Sequence, residues 1–161
     1  MRGGSPARRV LVPVLLALLL VLAVRQWFLE PLAVVSDSME PTIASSAVVL
    51  LWKPVDRGAL TNGTVIAFAN PLDGRTTIKR IIAQEGQTIA IRDAELFVDD
   101  VLVDEPFVDR SRIDALYFGP VTVPAGEVFL LGDNRASSID SRDFGAIPNT
   151  VIEGAVIVPA T

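Results

Sequence analysis

Residues 64–83 read TVIAFANPLDGRTTIKRIIA, two apolar runs that flank a short polar segment. The runs Thr64–Phe68 and Thr76–Ala83 are rich in Val, Ile, Thr and Phe, the residues that favour strands. The segment between them contains Pro71-Leu72-Asp73-Gly74, a combination typical of a tight turn. The stretch therefore predicts an antiparallel pair of strands, and it indicates a fold built from β-sheet.

The same pattern continues on both sides of this hairpin. Short apolar runs separated by Gly, Pro, Asp or Asn predict further strands at Ala47–Trp52, Thr88–Arg92, Leu96–Val98, Val101–Val103, Val121–Val123, Glu127–Leu131 and Ala155–Val158. No long segment after Leu29 has helical periodicity. The sequence predicts a mainly β domain with an antiparallel coiled β-sheet. Residues 93–120 are its least patterned part, and we expect a small β insertion and a surface loop there.

The N-terminal region differs from the rest of the chain. Residues 10–24, VLVPVLLALLLVLAV, are apolar throughout, and extension to Leu29 supplies the roughly 20 residues that a helix needs to cross a bilayer. Trp27 and Phe28 suit the membrane interface. A cleaved secretory signal has a similar pattern, but no small-x-small cleavage site follows the run. The sequence predicts an uncleaved transmembrane anchor at residues 10–29.

Charge is distributed unevenly about this span. Residues 1–29 contain four arginines and no acid, whereas from Glu30 onward 19 acidic residues face 10 basic ones, a net charge of −9. The positive-inside rule predicts a cytoplasmic tail at residues 1–9 and an extracytoplasmic domain at residues 30–161. An acidic body argues against nucleic acid as a partner, and the basic tail fits an anionic membrane surface.

The 161-residue chain contains no cysteine and no histidine. These absences exclude disulfides, thiol nucleophiles, His-ligated zinc and the Ser-His-Asp triad. If the chain is an enzyme, proton transfer must fall to Lys, Asp, Glu or Tyr. Only two lysines are present, Lys53 and Lys79, and the sequence implies no metal or organic cofactor.

Three segments carry side chains that can do chemistry, and each by itself has an ordinary structural explanation. Residues 34–42, VVSDSMEPT, also suit a polar linker. In residues 76–83, Lys79 and Arg80 point to opposite faces of a strand, so one of the two is expected to face inward. If the inward residue is Lys79, desolvation would lower its pKa. An edge strand also uses lysine against aggregation. Residues 132–145, GDNRASSIDSRDFG, suit either a buried hydrogen-bond network or a solvated turn.

Together and in this order, the segments resemble the bacterial type I signal peptidases, the serine proteases that remove signal peptides from exported preproteins. Residues 36–42, SDSMEPT, match the family's nucleophile motif S-x-S-M-x-P-T, and residues 78–82, IKRII, match its lysine motif. Residues 132–142 match its last motif, G-D-N-R-x-x-S-x-D-S-R. Residues 62–68 resemble a Gly-Asp-x-Val strand with Thr64 in place of Asp, and Ala136 and Ser137 replace a common Asp-Asn.

The resemblance implies a Ser/Lys peptidase with Ser38 as nucleophile and Lys79 as general base. It implies that the Ser38 N–H and the Ser36 hydroxyl form the oxyanion hole. Ser138 is expected to hydrogen-bond the Lys79 amine and to orient it. A base other than histidine agrees with the composition of the chain.

The resemblance also implies a supporting network and a substrate groove. The side chains expected to support the catalytic groups are Asp133, Arg135, Asp140, Arg142 and Arg80. Shallow pockets that admit alanine one and three residues before the cut are expected from Val34, Val35, Met39, Ile43, Thr77 and Ile78. The substrate is expected to add as a strand beside residues 32–36 and 76–78.

The expected location is the bacterial plasma membrane, with one span. The expected partners are signal-peptide-bearing preproteins, the lipid bilayer and, as a further candidate, the export channel. Alternatives that keep the Ser/Lys pair are a peptidase dedicated to pilin-like or conjugation substrates and a self-cleaving protein, although no basic DNA-binding domain fits in residues 1–46. A different class of protein remains, an inactive membrane-tethered homologue that binds preproteins without cutting them.

Overall fold

The computed structural model describes residues 6–113 and 116–158, which form two antiparallel sheets behind an N-terminal helix. The elements in chain order are α1 (Pro6–Trp27), β1 (Leu29–Ala33), β2 (Val48–Trp52), β3 (Val65–Ala69), β4 (Thr76–Gln84), β5 (Thr88–Arg92), β6 (Glu95–Val98), β7 (Val101–Leu102), β8 (Phe118–Thr122), β9 (Glu127–Leu131), α2 (Ser141–Phe144), β10 (Ile147–Pro148) and β11 (Ile152–Ile157). This confirms a mainly β, antiparallel fold behind one N-terminal apolar helix. Residues 1–5 of the expected tail and residues 114 and 115 of the expected insertion lie outside the described residues.

Helix α1 contains the apolar run. Its segment Arg9–Trp27 has 19 residues and a mean hydropathy of 2.3, and none of it is buried inside the protein, so by length and composition it can cross a membrane. The helix ends at Trp27 rather than Leu29, because Leu29 pairs with Trp52 as the first residue of β1. Pro31 lies in this edge strand, where its missing N–H is tolerated.

The larger sheet is curled and has seven strands in the order β1-β2-β11-β3-β4-β9-β10. The smaller sheet has the order β7-β6-β5-β8. Strand β4 lies between β3 and β9, and its register with β9 shifts between Ile81 and Ala83. The lysine-bearing strand is therefore held on both sides.

Several strands differ from those expected from the sequence. Strand β8 begins at Phe118 instead of Val121, and β11 begins at Ile152 instead of Ala155. The sequence does not predict β1, whose apolar residues merge with the anchor, or β10, which has only two residues. These elements exist because a neighbouring strand pairs with them, and local pattern does not reveal such pairing.

The buried residues hold residues 36–43, which include Ser38, against β4. Met39 and Ile43 pack in one apolar cluster with Ile78 of β4 and Val65 of β3. A second cluster joins the two sheets through residues such as Phe129 and Ile89. Burying large side chains of this kind stabilises the fold by about 1.5–3 kcal/mol each, so residues 36–43 are fixed against the strand that carries Lys79.

Candidate active site

Ser38 and Lys79 meet in the interior, although 41 residues separate them in the sequence. Lys79 is 2% exposed and Ser38 is 6% exposed. Lys79 Nζ donates a hydrogen bond to Ser38 Oγ at 2.6 Å. The lysine is thus the inward residue of the Lys79–Arg80 pair, and a serine hydroxyl and an amine lie within proton-transfer distance.

Burial brings the pKa of Lys79 closer to neutral pH. Desolvation lowers the pKa of Lys79 from 10.5 to about 8, against the opposing effects of Asp140, Asp133 and Asp37, while Arg142 lowers it further. At pH 7 about one lysine in ten is therefore neutral, since each pH unit below the pKa changes the ratio tenfold. A free lysine would be almost entirely charged.

The loop after β9 fixes the backbone around Ser38. The Asn134 N–H donates to the Ser38 carbonyl oxygen at 3.0 Å, and Asn134 Nδ2 donates to the Asp37 carbonyl oxygen at 3.2 Å. Asn134 is 4% exposed. Two bonds from one buried residue therefore define the position of Ser38 relative to β9.

The two groups expected to form the oxyanion hole are adjacent but bonded to each other. The Ser38 N–H donates to Ser36 Oγ at 3.1 Å. Ser36 is exposed. Its hydroxyl proton remains available to a further acceptor, and an incoming oxyanion would have to replace Ser36 Oγ as the acceptor of the Ser38 N–H.

The expected hydrogen bond between Ser138 and Lys79 is not made. Ser138 Oγ is buried and has no hydrogen-bond partner among the described residues. Lys79 donates to Ser38 instead. Gly132 makes room for Ser138, since a Cβ at residue 132 would lie 2.2 Å from Ser138 Oγ and 2.6 Å from the Ser38 carbonyl oxygen. A residue larger than glycine cannot occupy position 132 without displacing both serines.

The structure brings the expected supporting side chains together as buried ion pairs. Arg80 binds Asp133 through two hydrogen bonds, at 2.9 and 2.6 Å, and Arg142 binds Asp140 likewise at 2.9 and 3.0 Å. Asp140 also accepts from the Gly132 N–H at 3.0 Å. Paired arginine–carboxylate contacts of this kind fix the relative orientation of both groups.

Arg135 has a partner that the sequence does not reveal. Its Nη2 donates to Glu105 Oε1 at 2.5 Å, and its Nε donates to the Gly132 carbonyl oxygen at 3.1 Å. Glu105 is 8% exposed although it belongs to the segment after β7, which was expected to be a surface loop. Ser141 is another missed residue, and its Oγ accepts from the Leu130 N–H at 2.9 Å. Ser141 lies inside the last motif, between Asp140 and Arg142, and that place is the signal that could have identified it.

A groove of about 180 Å³ opens beside Ser38. Its walls come from the chain after β1 and from the start of β4, and they include Val34, Val35, Ser36, Ser38, Met39, Thr77 and Ile78. Asp73 and Arg75 of the β3–β4 turn line it as well. Ile43 does not, because it is 3% exposed and packs in the cluster beneath. Residues 6–113 and 116–158 contain no group of three or more acidic side chains placed to hold a metal ion.

Comparisons with known proteins match this fold and this order of motifs. The family model described as signal peptidase, peptidase S26, matches residues 7–161. Signal peptidase I T of Bacillus subtilis (strain 168) is 32% identical over 139 residues, 81% of this chain and 72% of that protein. Signal peptidase I of Bacillus licheniformis is 31% identical over 81% of this chain and 75% of its own length.

A solved structure agrees with the sequence matches. The crystal structure of a signal peptidase I from Enterococcus faecalis V583 superimposes with a TM-score of 0.55 and 30% sequence identity, over 60% of this chain and 95% of that one. Fold, motif order and the buried serine–lysine contact thus lead to one assignment. The chain belongs to the signal peptidase family, peptidase S26, and is a serine endopeptidase.

Proposed function

We propose that this protein removes N-terminal signal peptides from exported preproteins by cutting after Ala-x-Ala-like sites, with Ser38 as nucleophile and Lys79 as general base. The observation that carries the proposal is the 2.6 Å contact between Lys79 Nζ and Ser38 Oγ, buried inside a member of the signal peptidase family. Burying a lysine costs free energy, which argues for a function of Lys79 in this position.

In this proposal the neutral form of Lys79 starts the reaction. The neutral amine accepts the proton of the Ser38 hydroxyl across the existing contact while Oγ attacks the scissile carbonyl carbon. The resulting ammonium then gives the proton to the amine of the departing chain, so the base is restored for hydrolysis of the ester. The lowered pKa of Lys79, about 8, supports both transfers, because it lies close to the pH at which the enzyme must work.

Two further serines complete the proposed site. The Ser38 N–H and the Ser36 hydroxyl stabilise the oxyanion once the carbonyl oxygen of the substrate displaces the bond between them. Ser138 orients the amine of Lys79 after that amine has parted from Ser38. The support for this role is that the buried hydroxyl of Ser138 lies beside Gly132 and has no hydrogen-bond partner in residues 6–113 and 116–158.

The groove suits an extended chain with small side chains. Within the described residues, β4 pairs with β9 only from Arg80 onward, which leaves the backbone of residues 76–78 free on the groove side. A substrate strand can pair there, between residues 76–78 and residues 32–36. Val34 and Ile78 give the groove apolar walls, and its volume of about 180 Å³ favours alanine over larger residues.

The membrane placement in this proposal rests on two apolar surfaces. One is the helix span Arg9–Trp27. The other is the outward face of β2, where Val48, Leu50 and Trp52 are exposed next to the end of α1. We place the basic N-terminus in the cytoplasm and the catalytic domain at the outer surface of the membrane, with the β2 face toward the lipid. The substrate's own signal helix then meets the enzyme in two dimensions, which raises its effective concentration.

Cleavage of a preprotein with one Ala-x-Ala site tests this function. The full chain in detergent with lipid is compared with Ser38→Ala, Lys79→Ala and the control Lys53→Ala, which changes the other lysine, and the product N-terminus is read by mass spectrometry. We expect one cut after the second alanine, retained in the control and lost in both active-site variants. Full activity of either variant would exclude the dyad.

The remaining alternatives give different results in the same assay. A folded wild type that binds the preprotein without cutting it indicates an inactive tether. Cleavage confined to one dedicated substrate class indicates a specialised Ser/Lys peptidase. The groove beside Ser38 and the lowered pKa of Lys79 favour an active enzyme over a tether.

A further inference from the structure

A segment of the insertion reaches the back of the active site. Residues 103–109, which we call the strap, follow β7 in the chain. Two of its side chains contact arginines of the larger sheet and its loops. The Glu105 carboxylate binds Arg135 at 2.5 Å. The Phe107 ring covers the Arg80 guanidinium, and Arg80 Cζ lies 3.9 Å from the ring centre.

The contact of Glu105 continues directly to the catalytic serines. Arg135 Nε donates to the carbonyl oxygen of Gly132 at 3.1 Å, and the opposite side of that residue is held by Asp140. Gly132 in turn lies against the hydroxyl of Ser138 and the backbone carbonyl of Ser38. Glu105 is thus separated from the nucleophile by only two residues in contact, Arg135 and Gly132.

The contact of Phe107 reaches the same region through a second arginine. Arg80 follows Lys79 on β4 and binds Asp133 through two hydrogen bonds, and its Nη1 donates to the Gly63 carbonyl oxygen at 2.7 Å. The Phe107 ring limits the positions that Arg80 can adopt and attracts its guanidinium by a cation–π interaction. Both arginines are therefore restrained from the strap side.

We propose that Glu105 is a positioning residue for the peptidase reaction: through Arg135 it holds Gly132, and so the catalytic serines, in the reactive arrangement. The inference rests on the proposed Ser38–Lys79 mechanism. A buried ion pair by itself contributes little net stability compared with apolar residues of similar size, so stability alone gives a weak reason for it. A misplacement of about 1 Å at reacting groups, in contrast, lowers rates about hundredfold.

The variant Glu105→Gln tests the inference, because it preserves shape and an acceptor oxygen while it removes the charge that holds Arg135. We expect kcat for preprotein cleavage to fall about tenfold to hundredfold with KM changed less than about twofold. Asp100→Asn is the matched control, since it makes the same chemical change at an exposed ion pair with Arg92 on the same insertion. The control should keep the wild-type kcat. A wild-type kcat in Glu105→Gln would overturn the inference.

A second variant separates positioning from folding. Glu105→Met combined with Arg135→Met removes both charges and leaves no unpaired ion, so the fold should be kept. We expect kcat of this double variant to be reduced as in Glu105→Gln, because the Gly132 carbonyl oxygen has lost the hydrogen bond from Arg135 Nε. A folded double variant with wild-type kcat would show that the pair only stabilises the protein, and it decides the question if Glu105→Gln does not fold. Activity in Ser38→Ala would instead refute the underlying mechanism, so the two failures are distinguishable.

Discussion

Replacing Lys79 by methionine should abolish activity and change how stability depends on pH. The folded chain lowers the pKa of Lys79 from 10.5 to about 8, chiefly by desolvation. The unfolded chain keeps the proton up to about pH 10.5, whereas the folded chain releases it near pH 8. Since each pKa unit corresponds to about 1.36 kcal/mol, the buried charge destabilises the wild type by about 3 kcal/mol at and below neutral pH.

This cost disappears as pH rises from about 8 to about 10.5, because the unfolded state then binds more protons than the folded state. The wild type should therefore gain about 3 kcal/mol relative to Lys79→Met across that range. At neutral pH the variant should be up to about 2 kcal/mol more stable than the wild type, since the loss of the partner of Ser38 Oγ offsets about 1–3 kcal/mol of the gain.

Urea unfolding of the full chain in detergent micelles, followed by circular dichroism at several pH values, measures the difference. Other titrating groups cancel when the variant is subtracted from the wild type. Ser38→Ala retains the buried lysine and serves as the control, with the pH dependence of the wild type. If the wild-type and Lys79→Met free energies of unfolding stay parallel from about pH 7 to about 10.5, Lys79 is not desolvated as described.

Three further substitutions probe separate parts of the site. Ser36→Ala should lower kcat about 10²–10³-fold in steady-state cleavage assays if its hydroxyl binds the oxyanion, and an unchanged kcat would remove it from the mechanism. Gly132→Ala should lower the free energy of unfolding, measured with urea, by about 1–3 kcal/mol and should abolish cleavage, because its Cβ would lie 2.2 Å from the Ser138 hydroxyl oxygen. Normal activity would contradict that crowding. Arg80→Met should destabilise the fold by about 3–5 kcal/mol, because it leaves Asp133 buried and unpaired. Arg92→Met, which breaks the exposed ion pair with Asp100, should change stability by less than about 1 kcal/mol. Equal losses in the two variants would argue against a buried network.

The sequence predicts the strands that carry their own signal. Thr88–Arg92 and Glu127–Leu131 have the bounds expected from β-branched and aromatic residues between turn signals. Strand β1 has no such signal, since its residues continue the apolar anchor and include a proline, and only pairing with β2 defines it. Strand bounds at β8 and β11 likewise follow their partners.

In the site, too, the sequence predicts features with a local pattern and misses those that depend on contacts between distant residues. Strand alternation predicts that one of Lys79 and Arg80 faces inward but does not say which. The partner of Lys79, Ser38, lies 41 residues away, and the sequence connects them only through the family resemblance. Glu105 has no local feature that marks it as buried, because the residue that pairs with it lies 30 positions further on. Ser138 was expected to bind Lys79, yet its buried hydroxyl has no hydrogen-bond partner among the described residues, and the motif does not reveal this.

The pH dependence of kcat/KM for preprotein cleavage by the wild type tests the central claim most directly, because it reports the ionisation of the base in the free enzyme. The account predicts a rate that rises about tenfold per pH unit under acidic conditions and levels off above an apparent pKa of about 8, the value that burial gives Lys79. A rate still rising near pH 10.5, the ordinary pKa of lysine, or a rate independent of pH, would contradict a buried neutral Lys79 as the general base.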